Sequence, residues 1–260
     1  VLGDDELKDN VINDLVENDI KIMPIIDKTR PTTNKNVIIA ENYRLLKIDT
    51  VDNRPISSEI TKNLITQIKN CKSDIVSFCD FRHGIFNQLT VKKLIDAIPS
   101  GTFKAADSQV ATRWGNITEF RKFDLLTPNE REARFSLGDQ DTTVGSLAGA
   151  LYENTECKNL LLKLGDRGLF GLANSDKNEN QTMFSVDSFA SNVLDAVGAG
   201  DALLAYSVLS LKKTGSLVMA AILGSVAAAC ECEFDGNVPV KPEHVHSKLT
   251  IVEKMAGYNH

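Results

Sequence analysis

The most informative stretch of this sequence is Asp195-Ala196-Val197-Gly198-Ala199-Gly200-Asp201-Ala202, which opens an apolar helix-forming run that reaches Leu211. Two glycines flanking an alanine allow a tight turn and a close approach of the backbone to a ligand. The first N–H groups of a helix lack partners within the helix, and the helix dipole favours an anion there. A carboxylate repels phosphate, so Asp201 in this turn suggests removal of a proton from a hydroxyl that attacks phosphorus. An acidic residue that only complements the dipole is the alternative.

The rest of the sequence places this turn in an α/β protein. Predicted strands lie at 20–26, 37–39, 45–48, 74–78, 102–106, 123–126, 159–164, 168–173 and near 184. Predicted helices begin near residue 4 and lie at 56–68, 86–98, 130–137, 142–152, 199–211 and 217–230. This alternation predicts a doubly wound, mainly parallel sheet with helices on both faces. The segment 30–50 is expected to form a hairpin that serves as a small β lid.

Composition narrows the class of protein. The chain has 260 residues, of which 42% are apolar and 25% charged, and 29 basic against 35 acidic residues give a net charge of −6. The charges are interspersed, so neither a nucleic-acid nor a membrane partner is expected. The longest nearly apolar run, 217–230, is too short to span a bilayer of about 30 Å. Five cysteines without framework spacing and no signal-peptide pattern predict a cytoplasmic protein.

The stretch Asp195–Asp201 resembles the D-T-x-G-A-G-D signature of the ribokinase-like carbohydrate kinases of the phosphofructokinase B type. The resemblance implies that Asp201 is the catalytic base. It also implies that Gly198, Ala199 and Gly200 supply an anion hole for the transferred phosphoryl group. Ala196 replaces the usual threonine of the signature and leaves the base intact.

The segment Thr127-Pro128-Asn129-Glu130-Arg131-Glu132 is similar to the family's N-x-x-E motif at the end of a strand. The resemblance implies that Asn129 and Glu132 position Mg²⁺, through water molecules, beside the phosphates of ATP. Mg²⁺ prefers oxygen ligands and retains several waters, which suits these side chains. A capped helix start explains the same segment without any ligand.

Two later segments complete the resemblance, which covers essentially the whole chain. Leu162–Gly168 resembles the family's strand and turn beside the nucleotide, and an ordinary glycine hairpin is the alternative. The cofactor-binding residues that this segment implies are Lys163, Gly165, Arg167 and Gly168. On the last apolar helix, the positions that border adenine in the family are Ser225, Ala228 and Cys232. Core packing explains these three equally well.

The run from Arg30 to Asp49 resembles the P-T-x-x-K … N-x-x-L-x-R-x-D pattern of D-glycero-β-D-manno-heptose-7-phosphate kinases, which form one half of bifunctional ADP-heptose synthases. The substrate-binding residues that the resemblance implies are Arg30, Lys35, Lys47 and Asp80. Cations suit a sugar that already carries phosphate. A solvated hairpin with ordinary basic residues is the alternative. The sequence departs from the pattern at Val37, His83 and Ser108, so the exact sugar stays open.

The leading hypothesis is ATP-dependent phosphorylation of a sugar or sugar phosphate, with Mg²⁺ and a candidate monovalent cation as cofactors. The family's first strand and its G-G-x-x-N segment have no counterpart, so residues 1–260 are expected to form an N-terminally incomplete kinase domain. The alternative is a non-catalytic nucleotide- or sugar-binding module, or a fragment of a bifunctional enzyme. A homodimer through the hairpin is a further expectation. A dinucleotide-dependent oxidoreductase is disfavoured, because no G-x-G-x-x-G follows a first strand.

Overall fold

The computed structural model describes residues 1–41, 43–109, 116–174, 181–255 and 257. The chain divides into two compact units. Unit 1 consists of Val1–Ser73 and Asp80–Thr102, and unit 2 consists of Asp74–Cys79 and Phe103–His260.

Unit 1 contains three helices among the described residues: α1 (Glu6–Glu17), α2 (Ser58–Lys69) and α3 (Val91–Ile95). Side chains fix two of the helix starts, because Asp5 accepts a hydrogen bond from the Lys8 amide and Ser57 accepts one from the Ile60 amide. A small apolar core holds the unit together. Its buried members are Ile25, Ile56 and Ile60.

The predicted hairpin is present in unit 1, and both of its strands are longer than the predicted strands 37–39 and 45–48. Strands β1 (Asn34–Ala40) and β2 (Tyr43–Thr50) pair antiparallel, with Lys35 opposite Asp49 and Val37 opposite Lys47. Asn42 of the predicted turn lies outside the described residues. The hairpin exposes a set of large apolar side chains, namely Val37, Ile38, Ile39, Tyr43, Leu45, Leu46 and Ile48.

Two predicted elements of unit 1 were wrong in extent. In the predicted strand 20–26, only Ile26 pairs, through an isolated parallel bridge with Leu2. The predicted helix 86–98 shortens to α3. There the Asn87 amide donates to the Thr90 hydroxyl at 3.0 Å, and that hydroxyl donates to the Ile85 carbonyl at 2.6 Å. These local bonds form a turn that competes with the helix.

Unit 2 is built on a six-stranded sheet whose strands lie side by side in chain order. The strands are β3 (Ile75–Asp80), β4 (Phe103–Ser108), β5 (Leu125–Leu126), β6 (Asn159–Lys163), β7 (Leu169–Asn174) and β8 (Gln181–Val186). The β4–β5 and β5–β6 pairs are parallel, whereas β6–β7 and β7–β8 are antiparallel.

Helices cover both faces of this sheet. The helices of unit 2 are α4 (Glu130–Leu137), α5 (Val144–Thr155), α6 (Ala199–Thr214), α7 (Leu217–Cys232) and α8 (Pro242–Met255). Of these, α5, α6 and α7 contact the strands, whereas α4 packs beside α5 and α8 packs on α7. Leu161 of β6 packs in a buried cluster with residues of α6 and α7. Its neighbours Leu160 and Leu162 are also fully buried and point to the opposite face, where α5 contacts β6 and β7. This arrangement confirms the predicted α/β fold class.

The parallel strands position the site. Because β4, β5 and β6 run in the same direction, their carboxyl ends lie at one edge of the sheet. Asp107 lies near the end of β4, Lys163 ends β6, and β5 leads through Pro128 into α4. A parallel bridge between Asn129 and Lys163 ties the last two together.

Candidate active site

The start of α6 is a tight turn that only glycine accommodates at one position. Gly198 is the N-cap of the helix and has φ of 88°, in the region that favours glycine. A Cβ at this position would lie 2.4 Å from both Glu231 Oε1 and Asn237 Oδ1. Asp201 lies in the first turn of the helix and is exposed. The predicted turn before an apolar helix is therefore confirmed.

The backbone before this turn is fixed to the end of α7. Asp195 is buried, and its Oδ1 accepts a hydrogen bond from the Val197 amide at 3.1 Å. The Cys232 carbonyl accepts hydrogen bonds from the amides of Leu194 and Asp195, at 2.8 and 3.3 Å. The Ala199 amide donates a long bond of 3.4 Å to the Ala196 carbonyl. These bonds connect the start of α6 to the end of α7.

The N-x-x-E residues form a capping box at the start of α4. Asn129 Oδ1 accepts from the Glu132 amide, and a Glu132 carboxylate oxygen accepts from the Asn129 amide. Glu132 is only 4% exposed. Burial raises the pKa of Glu132 to about 7; Asp107 adds to the rise, and the Lys163 ammonium opposes it. The structure thus contains the capped helix start, and the magnesium role of the pair stays a prediction.

A buried ion pair joins the ends of β4 and β6. Lys163 Nζ lies 2.9 Å from Asp107 Oδ2, and the two side chains are 16% and 8% exposed. Burial lowers the pKa of Lys163, but the carboxylates of Asp107, Glu132 and Asp201 outweigh it and hold that pKa above its usual value. A Cβ built on Gly200 would lie 3.3 Å from Lys163 Nζ. The ion pair therefore lies beside the first turn of α6.

The segment after β6 is a glycine turn that joins β6 to β7. Gly165–Arg167 forms one turn of 3-10 helix, and Gly168 follows with φ of 83°. A Cβ on Gly168 would lie 2.1 Å from the Val186 carbonyl oxygen, so the position requires glycine. Arg167 pairs with Glu130 of α4. The hairpin is present as predicted, and its contacts with a nucleotide stay a prediction.

A cavity of about 750 Å³ lies beside α4. Its lining residues are Asn129, Glu130, Arg131, Arg134, Phe135, Gly138, Asp139, Gln140, Lys163, Leu164 and Gly165. Three residues singled out from the sequence therefore line one cavity. Sequence reasoning missed the contributions of Arg131 and Phe135, whose guanidinium and ring lie 5.6 Å apart. The two residues are four positions apart on a predicted helix, and this spacing could have indicated that their side chains are neighbours.

The α7 positions serve packing. Ser225 is 8% exposed, and Ala228 packs against the cluster formed with α6. Cys232 is partly exposed and uses its carbonyl to hold the Asp195 turn. A role beside adenine stays a prediction for all three.

The predicted substrate residues lie in unit 1 and fall into two kinds. The Arg30 side chain is only 8% exposed: its guanidinium pairs with Asp27 at 2.9 Å and donates to the carbonyls of His83 and Arg54, both at 3.1 Å. Asp80 is buried and pairs with Arg82 at 3.1 Å. These two residues maintain the local fold.

Lys35 and Lys47 are exposed on the hairpin. Lys35 Nζ lies 5.9 Å from the centre of the Phe81 ring, and Lys47 Nζ lies 3.5 Å from Asp49. Burial and the Lys35 charge lower the pKa of His83, while Asp80 and Asp49 oppose them. Lys35 and His83 therefore share one neighbourhood.

Comparison with known proteins places the chain in a family. The sequence pattern described as pfkB family carbohydrate kinase matches residues 1–241. The chain belongs to the pfkB family. The carbohydrate-kinase resemblance drawn from the motifs is thereby confirmed.

Curated relatives of this pfkB chain include the bifunctional protein HldE of two bacteria. The protein from Helicobacter pylori (strain Shi470) is 27% identical over 266 residues, which cover 98% of this chain and 56% of that protein. The protein from Wolinella succinogenes is 27% identical over 210 residues, or 79% of this chain and 42% of that protein. The chain spans about half the length of the curated relatives it matches.

Solved structures confirm the ribokinase-like fold of this pfkB chain. Ribokinase from Giardia lamblia has a TM-score of 0.74 at 19% identity, with 96% of this chain and 81% of that chain covered. Phosphofructokinase-2 from Escherichia coli in complex with potassium has a TM-score of 0.78 at 16% identity, with coverage of 97% and 80%. None of the described helices is long and apolar enough to cross a membrane.

The edge of the sheet in this pfkB chain suits a magnesium ion that is held mainly by waters and phosphates. No group of three His, Cys, Asp or Glu side chains in the described residues could hold a metal ion by itself. Mg²⁺ commonly takes one or two carboxylates and leaves its other positions to water and phosphate. Asn129 and Glu132 supply oxygen donors here. Asp107 Oδ1 is buried and has no hydrogen-bond partner among the described residues, which fits an additional polar group.

Proposed function

We propose that this chain transfers the γ-phosphoryl group of ATP to a hydroxyl group of a sugar or sugar phosphate. The observation that carries the proposal is the turn at the start of α6, which combines the left-handed Gly198 with the exposed Asp201 in a pfkB chain. A helix start of this kind attracts phosphate. A carboxylate there needs a chemical reason, and proton removal supplies one.

In the proposed reaction, the acceptor oxygen attacks the γ-phosphorus while the bond from that phosphorus to the β–γ bridging oxygen breaks. ADP leaves with the bridging oxygen, and Asp201 accepts the proton of the attacking hydroxyl. The amides of Gly198, Ala199 and Gly200 stabilise the negative charge on the transferred group, and the Ala199 amide exchanges its long 3.4 Å bond to the Ala196 carbonyl for this contact. Asn129 and Glu132 would hold Mg²⁺ through water, and the ion would neutralise charge on the phosphates.

The nucleotide is proposed to lie along the carboxyl edge of the sheet. The cavity beside α4 supports contacts from Asn129, Lys163 and Gly165, which line it. Arg167 and Gly168 belong to the same turn as Gly165 and are also proposed to contact the nucleotide. The proposed contacts of α7 with adenine have less support, because Ser225 is buried and Ala228 packs against the core.

The acceptor is proposed to carry a phosphate already, with heptose 7-phosphate as the first candidate. The run from Arg30 to Asp49 supports this choice, and Lys35 and Lys47 are exposed and able to meet an anion. Arg30 and Asp80 are proposed to act indirectly, because their side chains are occupied in holding His83 and Arg82.

The test is ADP release with a panel of heptose 7-phosphate, fructose 6-phosphate and ribose. Heptose 7-phosphate should give the highest kcat/KM, and Lys35→Met should raise the KM for it about tenfold while leaving the KM for ribose unchanged. Lys21→Met, at an exposed lysine outside the hairpin, is the matched control. Nucleotide binding without ADP release for any acceptor would favour the non-catalytic binding module instead.

A homodimer through the hairpin is part of the proposal. Seven large apolar side chains of β1 and β2 are between 41% and 77% exposed, a density that marks interaction surfaces. A second copy of the chain is the proposed partner, and one solved relative is a tetrameric form of phosphofructokinase-2. Leu45→Lys should shift sedimentation toward the monomer, whereas Leu209→Lys, at an equally exposed position on α6, should not. Identical sedimentation of both variants and the wild type would contradict the dimer.

A monovalent cation is proposed as a further cofactor, because phosphofructokinase-2 from Escherichia coli was solved in complex with potassium. A rise in ADP release on replacing Na⁺ with K⁺ would support it.

A cytoplasmic location is proposed because all five cysteines are free thiols, which suits a reducing compartment.

A further inference from the structure

We propose that the Lys163 ammonium contacts the phosphoryl group being transferred, and that Asp107 is a positioning residue that holds this ammonium in place. The inference rests on the proposed function and adds two roles to it. Asp107 is not among the site residues that the motifs imply.

The geometry places the ammonium at the start of α6. Nζ lies 3.3 Å from the point that a Cβ on Gly200 would occupy, and Asp107 Oδ2 lies 3.9 Å from the same point. A side chain at this position would therefore press on the lysine. The absence of one lets the ammonium lie next to the backbone that is proposed to bind the phosphoryl group.

The ammonium has hydrogen-bonding capacity left for a ligand. Lysine carries three N–H donors, and in the described part of the chain only Asp107 Oδ2 accepts a hydrogen bond from Lys163 Nζ. Donors that are mostly shielded from water are costly without acceptors. The side chain is 16% exposed, so it still reaches the surface of unit 2. Phosphoryl oxygens would supply acceptors of the opposite charge.

The charge of the pair explains why Asp107 is needed. A lysine side chain has four flexible carbon–carbon bonds, so its ammonium needs a partner to hold one position. The Asp107 carboxylate, 2.9 Å away, supplies that partner. Lys163 therefore acts as a fixed cation, and the proton of the acceptor goes to Asp201.

The experiment compares ATP and ADP binding by calorimetry, with excess Mg²⁺ and no acceptor. Only ATP carries the group that Lys163 contacts, so the wild type should bind ATP about tenfold more tightly than ADP. Lys163→Met should bring the two affinities within about threefold, and Lys163→Arg should keep most of the preference. Lys158→Met is the matched control, because this lysine pairs with Asp124 at 2.7 Å at the opposite end of β6.

Asp107→Asn should reduce the ATP preference in part, and the double variant Asp107→Asn/Lys163→Met should match Lys163→Met alone, because Asp107 acts through the lysine. In turnover, Lys163→Met should lower kcat about a hundredfold and change the KM of the acceptor less than threefold. The double variant removes both charges and keeps the test open if an unpaired Asp107 unfolds the single one.

The possible results separate the two claims. A wild type that binds neither nucleotide contradicts the proposed function itself. A wild type that prefers ATP, together with a folded Lys163→Met or double variant that keeps the full preference, overturns the role of Lys163 and leaves the kinase proposal standing. Additive losses from the two substitutions overturn the role of Asp107.

Discussion

Asn129 and Glu132 exchange two hydrogen bonds at the start of α4: Asn129 Oδ1 accepts from the Glu132 amide at 2.8 Å, and Glu132 Oε2 accepts from the Asn129 amide at 2.7 Å. The pair proposed to position Mg²⁺ therefore also caps the helix that lines the cavity. A loss of activity after mutation of either residue has two possible causes. Variants that keep the helix cap but remove the proposed magnesium ligand distinguish the two causes.

Asn129→Ser and Asn129→Ala separate these causes. Serine caps a helix about as well as asparagine, whereas alanine costs about 1 kcal/mol of stability. Urea unfolding should therefore place the serine variant close to the wild type and the alanine variant below it. Both should lower ADP release about tenfold or more, because both lack the amide group. Wild-type turnover in the serine variant would remove Asn129 from the proposed magnesium site.

Glu132 should make the protein less stable as the pH rises from about 5 to 8. Its pKa is about 7 in the folded state against an ordinary value near 4.5, so the folded state binds the proton more tightly than the unfolded chain. The stability that this proton confers is present at low pH and is lost as the pH rises toward the folded pKa. At about 1.4 kcal/mol per pKa unit, the loss is at most about 3 kcal/mol.

Glu132→Gln isolates this effect, since glutamine also completes a capping box and does not titrate. Unfolding measured in a metal-free buffer should show a smaller decline with pH for the variant than for the wild type. Parallel pH curves for the two proteins would contradict the raised pKa of Glu132.

Two glycines of α6 provide a matched pair at its ends. Gly198 and Gly215 both have positive φ, at 88° and 69°. A Cβ on Gly198 would meet Glu231 and Asn237 at 2.4 Å, whereas a Cβ on Gly215 would meet nothing within 4 Å. Gly215→Ala should cost about 1–2 kcal/mol for the left-handed backbone alone and keep turnover. Gly198→Ala should cost about 1–3 kcal/mol more and lower turnover strongly. Equal behaviour of the two variants would contradict the close contact at Gly198.

Local patterns made much of this fold predictable. The turn before α6, the hairpin 34–50 and the alternation of strands and helices all depend on residues near one another in sequence. The two errors in unit 1 have distinct causes. The strand expected at 20–26 needed a long partner strand, and Leu2 pairs only with Ile26. The helix expected at 86–98 was shortened by hydrogen bonds of Asn87 and Thr90 with nearby backbone.

The candidate site was predictable only where a motif carried it. Asn129, Lys163, Gly165 and Asp201 were found through segments whose order resembles a family. Asp107 was not among the predicted site residues, because its partner Lys163 lies 56 residues away in sequence. An ion pair between residues this far apart in sequence leaves no pattern in the local spacing of residues. The parallel order of β4, β5 and β6 brings the two together.

The most direct test of the proposed kinase is Asp201→Asn, which keeps the shape of the side chain and removes its charge. The proposal predicts that ADP release in the presence of the best acceptor falls by about a thousandfold or more, while ATP affinity stays within about threefold of the wild type. If Asp201 only complements the helix dipole, the variant would lose at most about 1 kcal/mol of stability and keep its turnover. Near-wild-type ADP release by a folded Asp201→Asn protein would contradict the proposed mechanism.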